Sequence, residues 1–299
     1  MVAVLRSIRL AAHTALPVAG LLAALVAAGC GARAAGGSSG SIQAVGAENE
    51  YANVISQVGG RYVQVSAVMS NPNTDPHTFE ASSSVAREVS AANLVVQNGL
   101  GYDTFMNTIE KASPDAGRKV IDVQSLLGLA DSAPNPHLWY DPATMPAVAK
   151  QIATDLSAID PAHAAYYRTN ETTFDAALAP WMQAIQSFKA SYPGAPVATT
   201  EPVADDLLQA MGTDDLTPLP FQADIMNGID PAPQDVTNEN TLLSQHKVKV
   251  LAYNQQVTDS LTQGFVSTAR TAGIPVVGVY ETMPAGDSYQ SWMLAETQA

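Results

Sequence analysis

Two short stretches carry the side chains best suited to chemistry. Asn71-Pro72-Asn73-Thr74-Asp75-Pro76-His77-Thr78-Phe79-Glu80 and Asn135-Pro136-His137-Leu138-Trp139-Tyr140-Asp141-Pro142 each place a histidine directly after a proline, with an aromatic two residues on. Proline fixes its own φ and biases its predecessor toward extended geometry, so each histidine leaves a stiffened loop. The neighbouring Asn, Asp and Thr can hydrogen-bond the local backbone and hold the turn. A neutral imidazole on a rigid loop is a good transition-metal ligand. The plain reading of either histidine is a ring that hydrogen-bonds its own loop. Two matching loops far apart in sequence point instead to one metal site assembled from two places, with His77 and His137 as ligands.

The elements around these loops alternate. Ile42–Gly46 predicts a strand, 48–57 a helix closed by Gly59-Gly60, and Tyr62–Met69 a second strand that ends at the Asn71 loop. Helix 82–92, with Ser82, Ser83 or Ser84 as N-cap, precedes the short apolar strand Leu94–Gln97. A helix over 103–111, a strand over 119–123 and a helix over 144–159 complete the first half. Pro161, after the potential cap Asp160, opens the longest helical pattern, with Tyr167, Phe174, Leu178, Trp181, Ile185 and Phe188 on one face until Pro193-Gly194. Pro180 predicts a kink or a break within it. Alternation then resumes with strands at 196–200, 248–253 and 275–280 and a helix at 260–272. The fold class is therefore α/β: two lobes with mostly parallel sheets flanked by helices, joined by one long helix. Ligands of such sheets bind beyond the carboxyl ends of the strands, which places a site in the cleft between the lobes.

His77, Glu201 and Glu281 all fall just after predicted strand ends. Glu201 reads equally as a solvated carboxylate at a helix start, favoured there by the helix dipole. Asp287, in Gly286-Asp287-Ser288-Tyr289, competes with Glu281 as an acidic candidate, although Asp-Ser before a helical run suits a cap. His163 lies on an exposed first turn, and His246 beside Lys247 reads as a solvated helix end.

The N-terminus reads as an export segment. Arg6 and Arg9 precede an apolar run over 16–26, and Ala27-Ala28-Gly29 then leads to Cys30. The order of charge, apolar run, small residues and cysteine predicts a lipobox, with Cys30 lipidated as the first mature residue. Residues 1–29 are then the signal peptide and 30–41 a flexible tether, followed by an N-terminal lobe over 42–160, the linking helix over 161–192 and a C-terminal lobe over 193–299. Cys30 is the only cysteine, so no intramolecular disulfide is possible. The formal net charge is −14, and the export segment removes only two arginines, so the exported body is more acidic still. That balance argues against nucleic acid and for a surface that attracts cations.

The run 71–80, the stretch Asn93–Gly101, the box 135–142 and Gly286–Tyr289 together resemble the zinc/manganese solute-binding lipoproteins of bacterial ABC importers, over nearly all of the mature chain. The resemblance implies two lobes joined by one long helix, with a metal ion held between them on four side chains. It carries the first two ligands onto His77 and His137. The third position, histidine in zinc-type and glutamate in manganese-type members, is Glu201 here, and the fourth, an acid after the last strand, is Glu281. Asn254 stands where relatives often carry a glutamate, and the His-rich loop of many zinc-type members is missing. The implied partners are an ABC permease and its ATPase, with the protein itself a monomer, extracytoplasmic and lipid-anchored to the bacterial cell membrane.

Two imidazoles and two carboxylates neutralise a divalent cation. Carboxylate oxygens shift preference toward Mn²⁺ or Fe²⁺, while the usual affinity order favours Zn²⁺. The expected cargo is Mn²⁺ or Zn²⁺, with a lean to manganese, and no enzymatic activity. The rivals are a zinc metallohydrolase, in which one glutamate activates a bound water, and an adhesion lipoprotein with a structural metal.

Overall fold

The computed structural model describes residues 41–73 and 76–299. The export segment, Cys30 and most of the tether lie outside the described residues, as do Thr74 and Asp75 of the first histidine loop.

The chain builds two four-stranded sheets, every paired strand parallel. The first contains β1 (Ile42–Glu48), β2 (Val63–Met69), β3 (Leu94–Gln97) and β4 (Lys119–Asp122) in the order β2-β1-β3-β4. The second contains β5 (Pro196–Thr199), β6 (Asp214–Asp215), β7 (Leu251–Asn254) and β8 (Val276–Val279) in the order β6-β5-β7-β8. Central strands covered on both faces must be apolar along their length rather than alternating. β3 (Leu-Val-Val-Gln) is buried at all four positions, and Val45 and Ala44 of β1 face separate clusters on opposite sides of the sheet. Gly46 is required by close approach: a Cβ there would sit 2.4 Å from the backbone nitrogen of Ala52, so any larger residue would push helix Asn49–Gly59 off the strand that leads into it.

The expected α/β arrangement holds, and most expected elements lie within two residues of their observed bounds. Strand β6 and the helices Leu219–Met226 and Pro233–Ser244 were not expected from the sequence. β6 has only two residues, too short for any alternation to register. The long connection is divided. A 3-10 turn, Pro161–His163, leads into helix Ala164–Ala177, and Ala179–Ser191 follows after the single residue Leu178. Pro180 supplies no N–H to the turn before it, and the path continues through Met182, whose N–H donates to the Leu178 carbonyl at 3.0 Å. Asp160 stands at the N-cap position of this segment, but its side chain makes no capping hydrogen bond. Its Oδ2 instead accepts from the Tyr167 hydroxyl at 2.9 Å and sits 2.6 Å from Nδ1 of His163, whose ring stacks on Tyr62.

The final helix, Tyr289–Gln298, packs back across the molecule. Trp292, Met293 and Tyr289 join the largest apolar cluster, which contains residues of both sheets and of both halves of the divided helix. Asn49 exchanges two hydrogen bonds with the Met283 backbone, at 2.7 and 3.0 Å, just before that helix begins. A continuous apolar core beneath both sheets holds their carboxyl edges toward one another.

Candidate metal centre

His77, His137 and Glu281 converge, their ligand atoms all lying within 4.8 Å of one another. Nε2 of His137 is 3.2 Å and Nε2 of His77 is 3.3 Å from the same carboxylate oxygen, Oε2 of Glu281. His137 and Glu281 are fully shielded, whereas the His77 side chain keeps 23 % exposure. Tyr102 donates to Glu281 Oε2 at 3.0 Å, and its ring packs edge-on against both imidazoles.

Each side chain is delivered by a distinct device. His77 lies in a 3-10 turn, Pro76–Thr78, that follows the end of β2 and closes with the Phe79 N–H donating to the Pro76 carbonyl. Phe79 anchors the far side of this loop on Phe105. His137 opens a buried 3-10 turn, Leu138–Tyr140, and the preceding Pro136 carbonyl accepts from Asn98. Asn98 is itself held by the buried Tyr51 hydroxyl. Tyr102 follows Gly99, Leu100 and Gly101, all three at positive φ. Glycine tolerates that region and leucine rarely enters it, so the chain accepts local strain here to turn the tyrosine into the cleft.

On the second sheet, Glu201 lies two residues beyond β5 and Glu281 two residues beyond β8. Gln256 accepts from the backbone N–H groups of Glu281 and Thr282 at 2.7 and 2.8 Å, fixing the loop. Glu201 does not join the histidine cluster directly. It reaches it through Asn254, which donates to Glu201 Oε2 at 3.2 Å and to Glu281 Oε1 at 2.7 Å. Asp287 is exposed and accepts from the Ser291 hydroxyl, while Ser288 caps the final helix.

The orientation of His137 determines its chemistry. Asn135 Oδ1 accepts from the His137 backbone N–H at 3.0 Å and faces its Nδ1 at 2.8 Å. The other side of that amide donates to Asp206 at 3.3 Å, so the oxygen must point at the ring. Nδ1 therefore carries the hydrogen, and the neutral ring turns a bare Nε2 lone pair toward Glu281. Burial lowers the pKa of His137, outweighing the hydrogen bond and charge of Glu281 that raise it. Burial acts to raise Glu281, yet the hydrogen bonds and positive charge of the two imidazoles, in their protonated form, outweigh it and hold the carboxyl well below the usual carboxylate range. A neutral His137 ring facing an ionised Glu281 carboxylate sets acceptor against acceptor. Such a contact is stable only with an electrophile between the groups, either a proton or a metal cation.

Two further ties lock the loops. The Tyr140 hydroxyl lies 2.7 Å from the Tyr280 carbonyl and also meets Glu296, which accepts from Trp292 at 2.6 Å. Burial pushes Glu296 up to about 8, partly offset by the hydrogen bonds it accepts from Tyr140 and Trp292. The neighbours of His137 and Glu281 are thereby pinned together. Tyr102 and Glu296 escaped the sequence reading, and Asn254 was noticed there only as a departure from relatives. None carried a local signal beyond its position near a turn or helix end.

The model for the family described as ZnuA, zinc-uptake complex component A, periplasmic, matches residues 45–299. The chain belongs to that family. The manganese-binding lipoprotein MntA of Bacillus subtilis (strain 168) is 26 % identical over 163 residues, 50 % of this chain and 53 % of that protein. The metal ABC transporter substrate-binding lipoprotein FimA of Streptococcus parasanguinis is 25 % identical over 173 residues, 54 % of this chain and 56 % of that one. The match thus spans about half the length of these curated relatives. In solved structures, the periplasmic zinc-binding protein TroA from Treponema pallidum superposes with a TM-score of 0.72 at 16 % identity, covering 87 % of this chain and 97 % of that one. The Mn-bound periplasmic metal-binding protein from Candidatus Liberibacter asiaticus gives 0.70 at 17 %, covering 86 % and 97 %. These superpositions establish the shared fold of this ZnuA-family chain.

Proposed function

We propose that this ZnuA-family protein is an extracytoplasmic receptor that captures a divalent transition metal, Mn²⁺ or Zn²⁺, and delivers it to the permease of an ABC importer. His77, His137, Glu201 and Glu281 are the proposed ligands. The observation that carries this reading is the pair of imidazole nitrogens converging on one buried carboxylate oxygen, with the His137 tautomer set to offer a lone pair. Relatives named as metal-binding and ABC-transporter lipoproteins support it. The proposal includes the division into lobes over 42–160 and 193–299 about the 161–192 connection, with the final helix docked back on the first lobe, and a monomeric receptor tethered through Cys30.

The protein performs no chemistry on its cargo. A hydrolase would need room beside the metal for a substrate bond as well as a water. Here Glu281 already meets four polar side chains, and only His77 faces solvent. The deciding experiment is elemental analysis of protein purified without added metal, followed by competition between Mn²⁺ and Zn²⁺. One tightly held ion per chain and background hydrolysis of ester, phosphoester, amide and lactam substrates are expected. Metal-dependent turnover that His137→Ala abolishes would reverse the assignment.

Anchoring has its own test. Cys30→Ala should leave unprocessed or released protein, while metal binding by the body survives. Wild-type chain that partitions into water as readily as the variant would refute the tether.

A further inference from the structure

Asn254 ends β7 between the two glutamates, and 1 % of its surface is exposed. Its amide cannot turn over. Oδ1 accepts from the Gln256 backbone N–H at 3.0 Å, a group that can only donate, so Nδ2 must face the carboxylates. The backbone N–H of Asn254 donates in turn to Thr200 Oγ1 at 3.1 Å, tying the residue to the strand that delivers Glu201. Each of the two Nδ2 hydrogens has one destination, Oε2 of Glu201 and Oε1 of Glu281.

The consequence is clearest at Glu281. Its Oε2 faces both histidines and Tyr102, while its Oε1 is taken by the amide at 2.7 Å. A carboxylate with one oxygen committed to a fixed, buried donor presents the other oxygen singly. The same amide commits one oxygen of Glu201. Two imidazole nitrogens and one oxygen from each glutamate make a four-donor set, which suits Zn²⁺. Mn²⁺ prefers six oxygen-rich positions and gains from carboxylates that bind through both oxygens. A glutamate or leucine at position 254 could donate no hydrogen bond to either carboxylate.

Resting on the receptor reading above, we propose that Asn254 is a specificity-determining positioning residue: by tying one oxygen of each glutamate it restricts both to single-oxygen coordination and biases the site toward a four-coordinate metal. Asn254 touches no cargo itself. It acts through Glu201 and Glu281, as outer partners of metal ligands commonly do.

The test compares wild-type protein with Asn254→Leu and Asn254→Ala, each loaded with Co²⁺, Zn²⁺ or Mn²⁺ alone. Wild-type protein should show the intense visible absorption of four-coordinate Co²⁺, and both variants a weaker spectrum of higher coordination. The ratio of Zn²⁺ to Mn²⁺ affinity should fall by about 10-fold or more in the variants, the scale typical of outer-partner loss. An unchanged ratio with an unchanged Co²⁺ spectrum in folded variants overturns the inference. If neither variant folds, the wild-type spectrum still decides, because a weak six-coordinate band there excludes the restricted geometry. Wild-type protein that takes up none of the three metals would instead refute the receptor reading.

Discussion

His137→Ala should abolish most of the stabilisation that Mn²⁺ or Zn²⁺ confers on the folded protein. An ion that binds only the native state stabilises it by mass action, by roughly 4 kcal/mol when free metal stands a thousandfold above its dissociation constant. His137 is fully buried and faces Glu281 at 3.2 Å, so no neighbouring side chain can replace its lone pair without rearranging the core. The substitution also deletes a buried ring packed edge-on against Trp139 and Tyr102, and the metal-free variant will itself be less stable. The quantity to measure is therefore the metal-dependent increment in a thermal or denaturant titration. Asn135→Ala is the companion variant. It leaves both histidines in place and removes the oxygen that accepts from the His137 Nδ1–H and backbone N–H, together with the amide's hydrogen bond to Asp206, with an expected affinity loss of about 10- to 100-fold. Because ligands bind deprotonated, affinity in the wild type should fall as pH drops through the histidine range near 6.5, and burial of His137 moves its share of that loss to lower pH. A His137→Ala protein that keeps the full metal increment would remove His137 from the site.

Glu239→Gln should stabilise the metal-free protein at pH 7 to 8. Glu239 lies on helix Pro233–Ser244 with 1 % of its surface exposed, and it accepts from Thr217 at 3.1 Å. Burial pushes its carboxyl up to about 8, partly offset by the Thr217 hydrogen bond and reinforced by Asp215. With a folded pKa above the unfolded one, the folded state holds the proton more tightly. The associated stability is fully present below about pH 4.5 and is lost as pH rises toward 8. Between those limits the slope is about 1.4 kcal/mol per pH unit, so the cost at pH 7 is on the order of 3 kcal/mol. Glutamine keeps an acceptor for Thr217 and removes the charge. Urea titrations across pH should show variant and wild type converging in acid and separating above neutrality, at unchanged metal affinity. Parallel stability curves at every pH would show that Glu239 does not titrate in the folded state as argued. Glu48 and Glu50, raised chiefly by burial, push the pH dependence in the same direction, while Glu281 opposes them.

Local chemistry made much of this molecule readable. Apolar runs bounded by Gly, Pro and Asn marked the main parallel strands, because strands buried on both faces cannot alternate. Pro180 announced the division of the connecting helix, because the lost N–H is a property of one residue. The two proline–histidine boxes announced their own stiffness, and the resemblance they carried holds in the family assignment. Glu201 and Glu281 drew attention through their places after strand ends and through the positions the resemblance assigned them.

Tertiary structure decided everything that depends on which side chains meet. His77 and Glu281 are separated by more than two hundred positions, and only the facing carboxyl edges of two sheets bring them to 3.3 Å. Asp287 and Glu281 are similar acids six residues apart, yet one lies exposed beside a helix cap and the other is sealed under both imidazoles. The roles of Tyr102, Asn254 and Glu296 follow from partners up to 179 positions away. Hydrogen-bond direction at Asn135 and Asn254 is set by backbone N–H groups, and the fold determines what the rest of each amide can reach. Composition and spacing say that a residue can donate or ligate; the fold decides toward which atom, because burial removes the water that would otherwise satisfy it.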